Sequence, residues 1–244
     1  MRILAFDLET SPMLSWHWGR FQQNIRPEQT VQESRVLCFG ARWVGSNKFI
    51  FRAEYEDGRE AMLQEIHELL SEADAVMSWN GRRFDSKKIR TEFLRERMTP
   101  PPQYHELDLM VAVKRQFAFS SNKLDSVAKE LGVGEKVKHE GFGLWLRVME
   151  GDPVARRQFR TYQKRDVDLL VDLYQVLLPW VPNHPNIALI DDRDVACTRC
   201  GGTDLQRRGW AHTSASRYRR YQCTRCGTWV KSARREATTE LRAI

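Results

Sequence analysis

Long apolar runs are missing from this sequence. The longest uncharged stretch, Leu173 to Ile190, is interrupted by Pro179, Pro182 and Pro185, with Asn183, His184 and Asn186 between them. A bilayer span needs about 20 consecutive apolar residues, so neither a membrane segment nor a membrane partner is expected. The opening residues, Met1 to Asp7, lack the apolar core and small-residue cleavage site of a secretory signal, and the expectation is an intracellular, cytoplasmic protein. Cysteine is scarce, at five residues, and in a reducing compartment disulfides are not expected. Internal repeats and low-complexity runs are also absent. With 41% hydrophobic and 29% charged residues the chain does not read as disordered, and 244 residues suffice for one well-buried domain plus an appendage.

What is present is unevenly placed. Residues 197–244 hold 11 Lys+Arg against 3 Asp+Glu, a net +8, which leaves residues 1–196 at −1 within the chain's +7. A localised positive field points to a polyanion as partner, because phosphate contacts release condensed counterions. Hydropathy patterning predicts strands over Arg2–Asp7, Val36–Val44 and Lys48–Tyr55, the last two joined by Gly45-Ser46-Asn47. Met62, Ile66, Leu69 and Leu70 give a helix over Gly58–Ala73, followed by a strand over Ala75–Trp79. A helix over Asp85–Met98 is stopped by Pro100-Pro101-Pro102, then come a strand near Tyr104–Leu109 and a helix-rich stretch. The last long helix covers about Pro153–Leu178. This alternation predicts an α/β domain with a mixed sheet. The expected division is residues 1–182 for that domain, 183–196 for a Pro- and Asn-rich linker, 197–232 for a small cysteine-bearing module and 233–244 for a basic tail.

Four acidic residues stand out by position. Asp7 and Glu9 are two apart, so on a strand they project to one side, and paired like charges there call for a cation between them, the alternative being a solvated acidic strand end. Mg²⁺ or Mn²⁺ suits such hard oxygen ligands. Asp85 lies four and eight residues before Ile89 and Phe93, on the inward face of its helix, although an Asp there also suits an N-cap. Asp166 continues the stripe of Leu169, Leu170, Leu173 and Leu177, with Tyr162 one turn earlier. An acid in an apolar stripe must be paired with a cation or metal to offset its desolvation. Asp168 and Asp172 fall on the other, solvated face.

Asp7-Leu8-Glu9-Thr10, Asn80-x3-Phe84-Asp85 and Tyr162-x3-Asp166 resemble, in order, the three exonuclease motifs of the DEDD superfamily of DnaQ-like 3′→5′ exonucleases. A tyrosine four residues before the last Asp is similar to the DEDDy branch, which includes the proofreading domain of family-B DNA polymerases and the YprB-like ribonuclease H-like proteins. Asn122 to Ala128 and Leu131-Gly132 resemble the segment between the second and third motifs, and the likeness spans about residues 2–178. The resemblance implies an RNase H-like mixed sheet flanked by helices, and hydrolysis of phosphodiesters with two Mg²⁺ or Mn²⁺ ions. It implies that Asp7 bridges the ions, that Glu9, Asp85 and Asp166 complete their shells, and that Tyr162 orients the attacking water. It further implies that Asn80 contacts the strand near the scissile phosphate, with Arg82 and Lys123 as candidate phosphate contacts. Ser11 to Ser34 departs from the pattern as an insertion carrying Trp16, His17 and Trp18. These aromatics are expected to pack the loop down, with stacking on terminal bases as the alternative.

Near the C-terminus, Cys197-x2-Cys200 and Cys223-x2-Cys226 form two paired knuckles with residues 201–222 between them. Four thiolates at this spacing suit one closed, structural Zn²⁺ site in a small β-rich zinc ribbon, with Gly201-Gly202 and Gly227 supplying tight turns. Cys38, on an apolar strand, reads as a buried thiol. Between the knuckles, Arg217, Arg219 and Arg220 alternate with Tyr218 and Tyr221, flanked by Trp210 and Trp229. That pattern is expected to grip phosphate and stack bases. The expected activity is a metal-dependent 3′→5′ exonuclease acting on nucleic acid, DNA with a 3′ end foremost. The alternatives are a structure-selective endonuclease or ribonuclease on the same site, and a non-catalytic nucleic-acid adaptor.

Overall fold

The computed structural model describes residues 1–21 and 23–241. By internal contacts the chain divides into two compact units, one of residues 2–114 and 118–173, the other of residue 1, residues 115–117 and the chain from residue 174 onward. The larger begins with β1 (Ile3–Thr10), a short pair β2 (Leu14–Ser15) and β3 (Thr30–Gln32), then β4 (Val36–Trp43) and β5 (Phe49–Ala53). It continues with α1 (Glu54–Asp57), α2 (Arg59–Glu72), β6 (Ala75–Ser78), α3 (Asp85–Arg95), β7 (His105–Asp108) and α4 (Leu109–Gln116). After these come α5 (Leu124–Glu130), α6 (Phe142–Met149) and α7 (Pro153–Leu177). Five strands form a mixed sheet in the order β5-β4-β1-β6-β7, antiparallel between β5, β4 and β1 and parallel from β1 through β7.

Strand periodicity decides what each side of this sheet carries. Leu4, Phe6 and Leu8 on β1, with Phe39 and Ala41 on β4, face one way and bury against Met62, Ile66, Leu70, Ile89 and Phe93 of α2 and α3. The opposite face brings Cys38, Phe51 and Ala53 against Leu144 and Val148 of α6 and Ala155, Phe159 and Tyr162 of α7. Asp7 pairs with Gly40 and Glu9 with Cys38, so both acids lie on the α7 side. The thiol of Cys38 is free and fully buried, as the sequence predicts.

Two boundaries shift for physical reasons. α3 ends at Arg95, short of the expected Met98 and ahead of the prolines, because Arg97 takes a left-handed φ of 55° and the Arg97 and Met98 N–H groups close onto Leu94 and Phe93. Strand β1 extends through Glu9, which sets that side chain inside the sheet rather than beyond it. Within the smaller unit, α8 (Ile187–Ile190) forms in the expected linker, its N-terminus capped by the Asn186 side chain. There β8 (Leu205–His212), β9 (Ser216–Cys223) and β10 (Trp229–Thr238) form an antiparallel sheet in the order β10-β9-β8. β10 runs through Thr238 into the stretch expected to be a tail, of which residues 242–244 lie outside the described residues. Among the described residues, no helix is long and apolar enough to cross a membrane.

Gly40 on β4 is a strand position that its neighbours restrict to glycine. A Cβ built there would sit 2.7 Å from the Cγ of Gln163 on α7 and 3.0 Å from the Phe49 ring. The Gly40→Ala variant is therefore expected to unfold about 1–3 kcal/mol more easily, the usual penalty of overpacking, as read by chemical denaturation. An unchanged midpoint would mean that Gln163 does not pack on β4.

Candidate metal and catalytic site

Strand β1 and helix α7 meet at a group of acids. One carboxylate oxygen from each of Asp7, Glu9 and Asp166 lies within 4.8 Å of the others. Asp166 is 2% exposed, and its Oδ1 is buried without a hydrogen-bond partner. An orphaned carboxylate oxygen beside two further acids fits a divalent cation, which would replace lost hydration and cancel the repulsion. Asp85 falls outside this group of three. Its side chain does not cap α3; its Oδ1 accepts a 3.2 Å hydrogen bond from the Leu8 N–H, which ties the start of α3 to β1.

The electrostatics record the crowding. Burial first, then Asp85, Glu9 and Asp166, push the Asp7 carboxyl well above the usual carboxylate range. Burial and Asp166 push Glu9 up to about 8, against the opposing pull of Lys136 and a Tyr162 hydrogen bond. Burial raises Asp85 to about 6. Asp166 is also raised by burial, with Lys136 and Tyr162 opposing. The Tyr162 phenol is driven far above its ordinary value by burial and by Glu9, Asp166 and Asp7, so it stays protonated.

Four further side chains join the site. Lys136 Nζ donates to Asp166 Oδ2 at 2.6 Å and lies 3.4 Å from the Tyr162 hydroxyl. Nothing in the loop around it, Gly134-Glu135-Lys136-Val137, marks this lysine from any surface one. His139 meets the Tyr162 ring edge-on at 4.9 Å, and Trp145 packs beside it. Gln163 is fully buried, and its Nε2 donates to the main-chain O of Asp7 at 2.8 Å and to Asp7 Oδ2 at 3.0 Å. Its position three residues before Asp166 put it on the same helix face, a signal that was there to be read.

The other predicted contacts divide. Asn80 adopts a left-handed φ of 70°, and the buried Asp108 holds its N–H at 3.0 Å. Arg82 is engaged by Glu106 at 3.1 Å, and Glu106 also pairs with Arg90, so Arg82 is committed within the protein. Lys123 is exposed and makes no ion pair among the described residues. Two expectations are corrected. Trp16 and Trp18 are 76% and 100% exposed rather than packed down; they lie beyond β2, in the connection to β3, and those two strands pair only at Leu14 with Gln32 and Ser15 with Thr30. Asp168 is not solvated: Arg42 reaches it from β4 at 2.6 Å, and Lys164 joins from the preceding turn.

In the smaller unit the four cysteines converge. Sγ of Cys197 lies 3.6 Å from that of Cys226, and Cys200 the same distance from Cys223. All four are free thiols with sulfurs within 4.8 Å of one another. A tetrahedral zinc with arms of ~2.3 Å has sulfur–sulfur edges of about 3.8 Å, so this donor set fits that metal. Gly201 and Gly227, at φ 68° and 78°, let each knuckle fold back so that their N–H groups reach the carbonyls of Cys197 and Cys223. The three predicted arginines do not share a face. Arg217 and Arg219 lie over Trp210 at 4.3 and 3.8 Å, whereas Arg220 lies over Trp229 at 4.7 Å on the other side of the sheet.

The mixed sheet with acids on its central strand defines an RNase H-like architecture. A model of the RNase_H superfamily matches residues 28–178, more than half of the chain, and the chain belongs to that superfamily. The matched stretch includes Asp85, Tyr162 and Asp166 but begins after Asp7 and Glu9. Among solved structures the chain is similar to the family B DNA polymerase from the hyperthermophilic archaeon Pyrobaculum calidifontis, at 16% identity and a TM-score of 0.54. That likeness covers 88% of this chain and 32% of the polymerase chain, and it concerns the fold alone. No curated protein matches the sequence.

The raised acids give a stability signature. The folded chain holds the Glu9 proton up to about pH 8, whereas an ordinary glutamate releases it near 4.5. The stabilisation from that proton is full below pH 4.5 and is lost as pH rises through 8. Divalent ions binding the ionised cluster should therefore raise the melting temperature more at pH 8 than at pH 5, measured by Mg²⁺ or Mn²⁺ titration without substrate. An equal shift at both pH values would contradict metal binding by these acids.

Proposed function

We propose that this chain is a metal-dependent 3′→5′ exonuclease of the DEDDy kind that hydrolyses nucleic-acid phosphodiesters, DNA foremost. The observation that carries the reading is the convergence of Asp7, Glu9 and Asp166 beside the protonated Tyr162. Asp7, Glu9, Asp166 and Asp85 would together hold two Mg²⁺ or Mn²⁺ ions. Such ions, when bound, supply activated water and neutralise phosphate charge.

The chain's own groups would do the rest. Gln163 holds Asp7 in place through two hydrogen bonds. Tyr162 keeps its proton, which suits it to orient the attacking water rather than to abstract a proton from it. Lys136 sets positive charge beside Asp166 and Tyr162, where negative charge would build on the phosphate. Asn80 would contact the strand near the scissile phosphate. Lys123, unpaired among the described residues, is a better phosphate contact than Arg82, which Glu106 engages. The cysteine-bearing sheet would be a zinc ribbon with one structural Zn²⁺ on Cys197, Cys200, Cys223 and Cys226, assisting substrate binding.

Digestion of 5′-labelled single- and double-stranded DNA and RNA with Mg²⁺ or Mn²⁺ tests this reading. A ladder shortening from the 3′ end is expected, with Asp7→Ala cutting turnover by at least about a thousandfold while substrate still binds. A discrete internal cut would indicate an endonuclease. An undiminished rate in Asp7→Ala would remove the proposed site.

A further inference from the structure

The antiparallel register sorts the side chains of β9 and β10. Trp229 pairs with Gln222, Lys231 with Arg220, and Arg235 with Tyr218, so these six residues share one face. On the opposite face Leu205, Tyr221 and Val230, with Leu189 and Val195, line a cavity of about 450 Å³, to which Lys231 also contributes. The basic face is the outward one: Arg220, Lys231 and Arg235 are exposed, and Trp229 is 50% exposed.

That face is arranged against its own stability. Arg220 and Lys231 stand directly opposite each other, and like charges in cross-strand pairs repel. None of Arg220, Lys231 and Arg235 has an acidic partner among the described residues; Glu236, the acid nearby, turns instead to Arg219 at 3.7 Å. The cations rest on rings. Arg220 lies 4.7 Å from the Trp229 centroid and Lys231 Nζ 4.4 Å from that of Tyr218. Cation–π contact steadies each charge but leaves it uncompensated.

We infer that the Arg220, Trp229, Lys231 and Tyr218 face of this sheet docks a single-stranded polynucleotide. The partner must bring repeated negative charge for three cations that have no acidic partner among the described residues, Arg220 meeting only the Arg208 carbonyl at 2.8 Å, and flat rings for an exposed tryptophan. A single strand offers phosphates and unstacked bases together. A duplex keeps its bases stacked inside, and an acidic peptide brings charge without an array of rings. The inference takes from the proposed function only the polynucleotide partner. Arg217 and Arg219, on the Trp210 side, lie outside this surface and serve as a control.

The test uses the full zinc-loaded chain carrying Asp7→Ala, so that no substrate is consumed. Fluorescence anisotropy would follow oligo-dT, oligo-U and a blunt DNA duplex of equal length across a salt series. The combined Arg220→Gln and Lys231→Gln variant should weaken single-strand binding about tenfold and reduce the log–log salt slope by about 1.4, the loss of two phosphate contacts. Trp229→Ala should weaken it at least about fivefold and leave that slope unchanged, and Trp229→Phe should restore most of the loss. Arg217→Gln should change less than either. One zinc per chain in every variant would show that the sheet remains folded.

Tighter binding of oligo-dT than oligo-U, or the reverse, supports the surface and says which polymer it takes. Unchanged affinity and slope in the Arg220/Lys231 variant would overturn it. So would a silent Trp229→Ala with duplex bound as well as single strand, or poly-glutamate competing as well as the oligonucleotide, which would point to a protein partner. Cleavage by the chain with Asp7 intact, measured separately, decides the exonuclease reading independently of these outcomes.

Discussion

Three acids whose oxygens lie within 4.8 Å of one another, on a buried strand and a buried helix face, repel one another and have lost much of their water. Much of the larger unit can be read as the means of tolerating that arrangement. Lys136 supplies one positive charge to Asp166, and Gln163 gives two hydrogen bonds to Asp7. Neither removes the strain, since Glu9 and Asp85 remain raised to about 8 and 6. A fold that needed only stability would be better served by apolar residues at these positions. The cluster fits divalent cations, which would offset that repulsion.

The backbone follows from that need. The two-residue period of β1 sends Leu4, Phe6 and Leu8 to one core and Asp7 and Glu9 to the other side, against α7. For α7 to lie close, β4 must be bare opposite Asp7, and Gly40 makes it so, leaving room for the Gln163 side chain. The i, i+4 spacing in α7 then brings Tyr162 and Asp166 to the same acids, while His139 and Trp145 hold the phenol ring. One glycine, one amide and one helical turn thus set the geometry of the candidate site.

Much of this is legible in the residues themselves. The apolar stripe of α7 marks Asp166, and alternation marks Asp7 and Glu9, because burial imposes a period on both elements. The strands and helices of the mixed sheet could be read for the same reason. Lys136 could not, since it comes from an irregular loop with no period, and only long-range packing brings it to Asp166. The exposed Trp16 and Trp18 mislead in the other direction: composition says apolar, but they lie in the connection between two very short strands, where they stay exposed. Asp168 sits on the polar side of its helix, yet Arg42 from β4 claims it, a partner that local sequence does not disclose. In the cysteine-bearing sheet the spacing foretold the gathering of four thiols. The separation of Arg217 and Arg219 from Arg220 depended on register.

The role of the site rests on whether the acids of β1 and α7 hold divalent ions. The most direct measurement is anomalous diffraction from crystals of the chain soaked in Mn²⁺, at wavelengths on either side of the manganese absorption edge. The predicted result is manganese bound by the carboxylates of Asp7, Glu9 and Asp166, with the Lys136–Asp166 ion pair opened or lengthened. Manganese absent from these three residues, at a concentration that supports cleavage of nucleic acid, would contradict it.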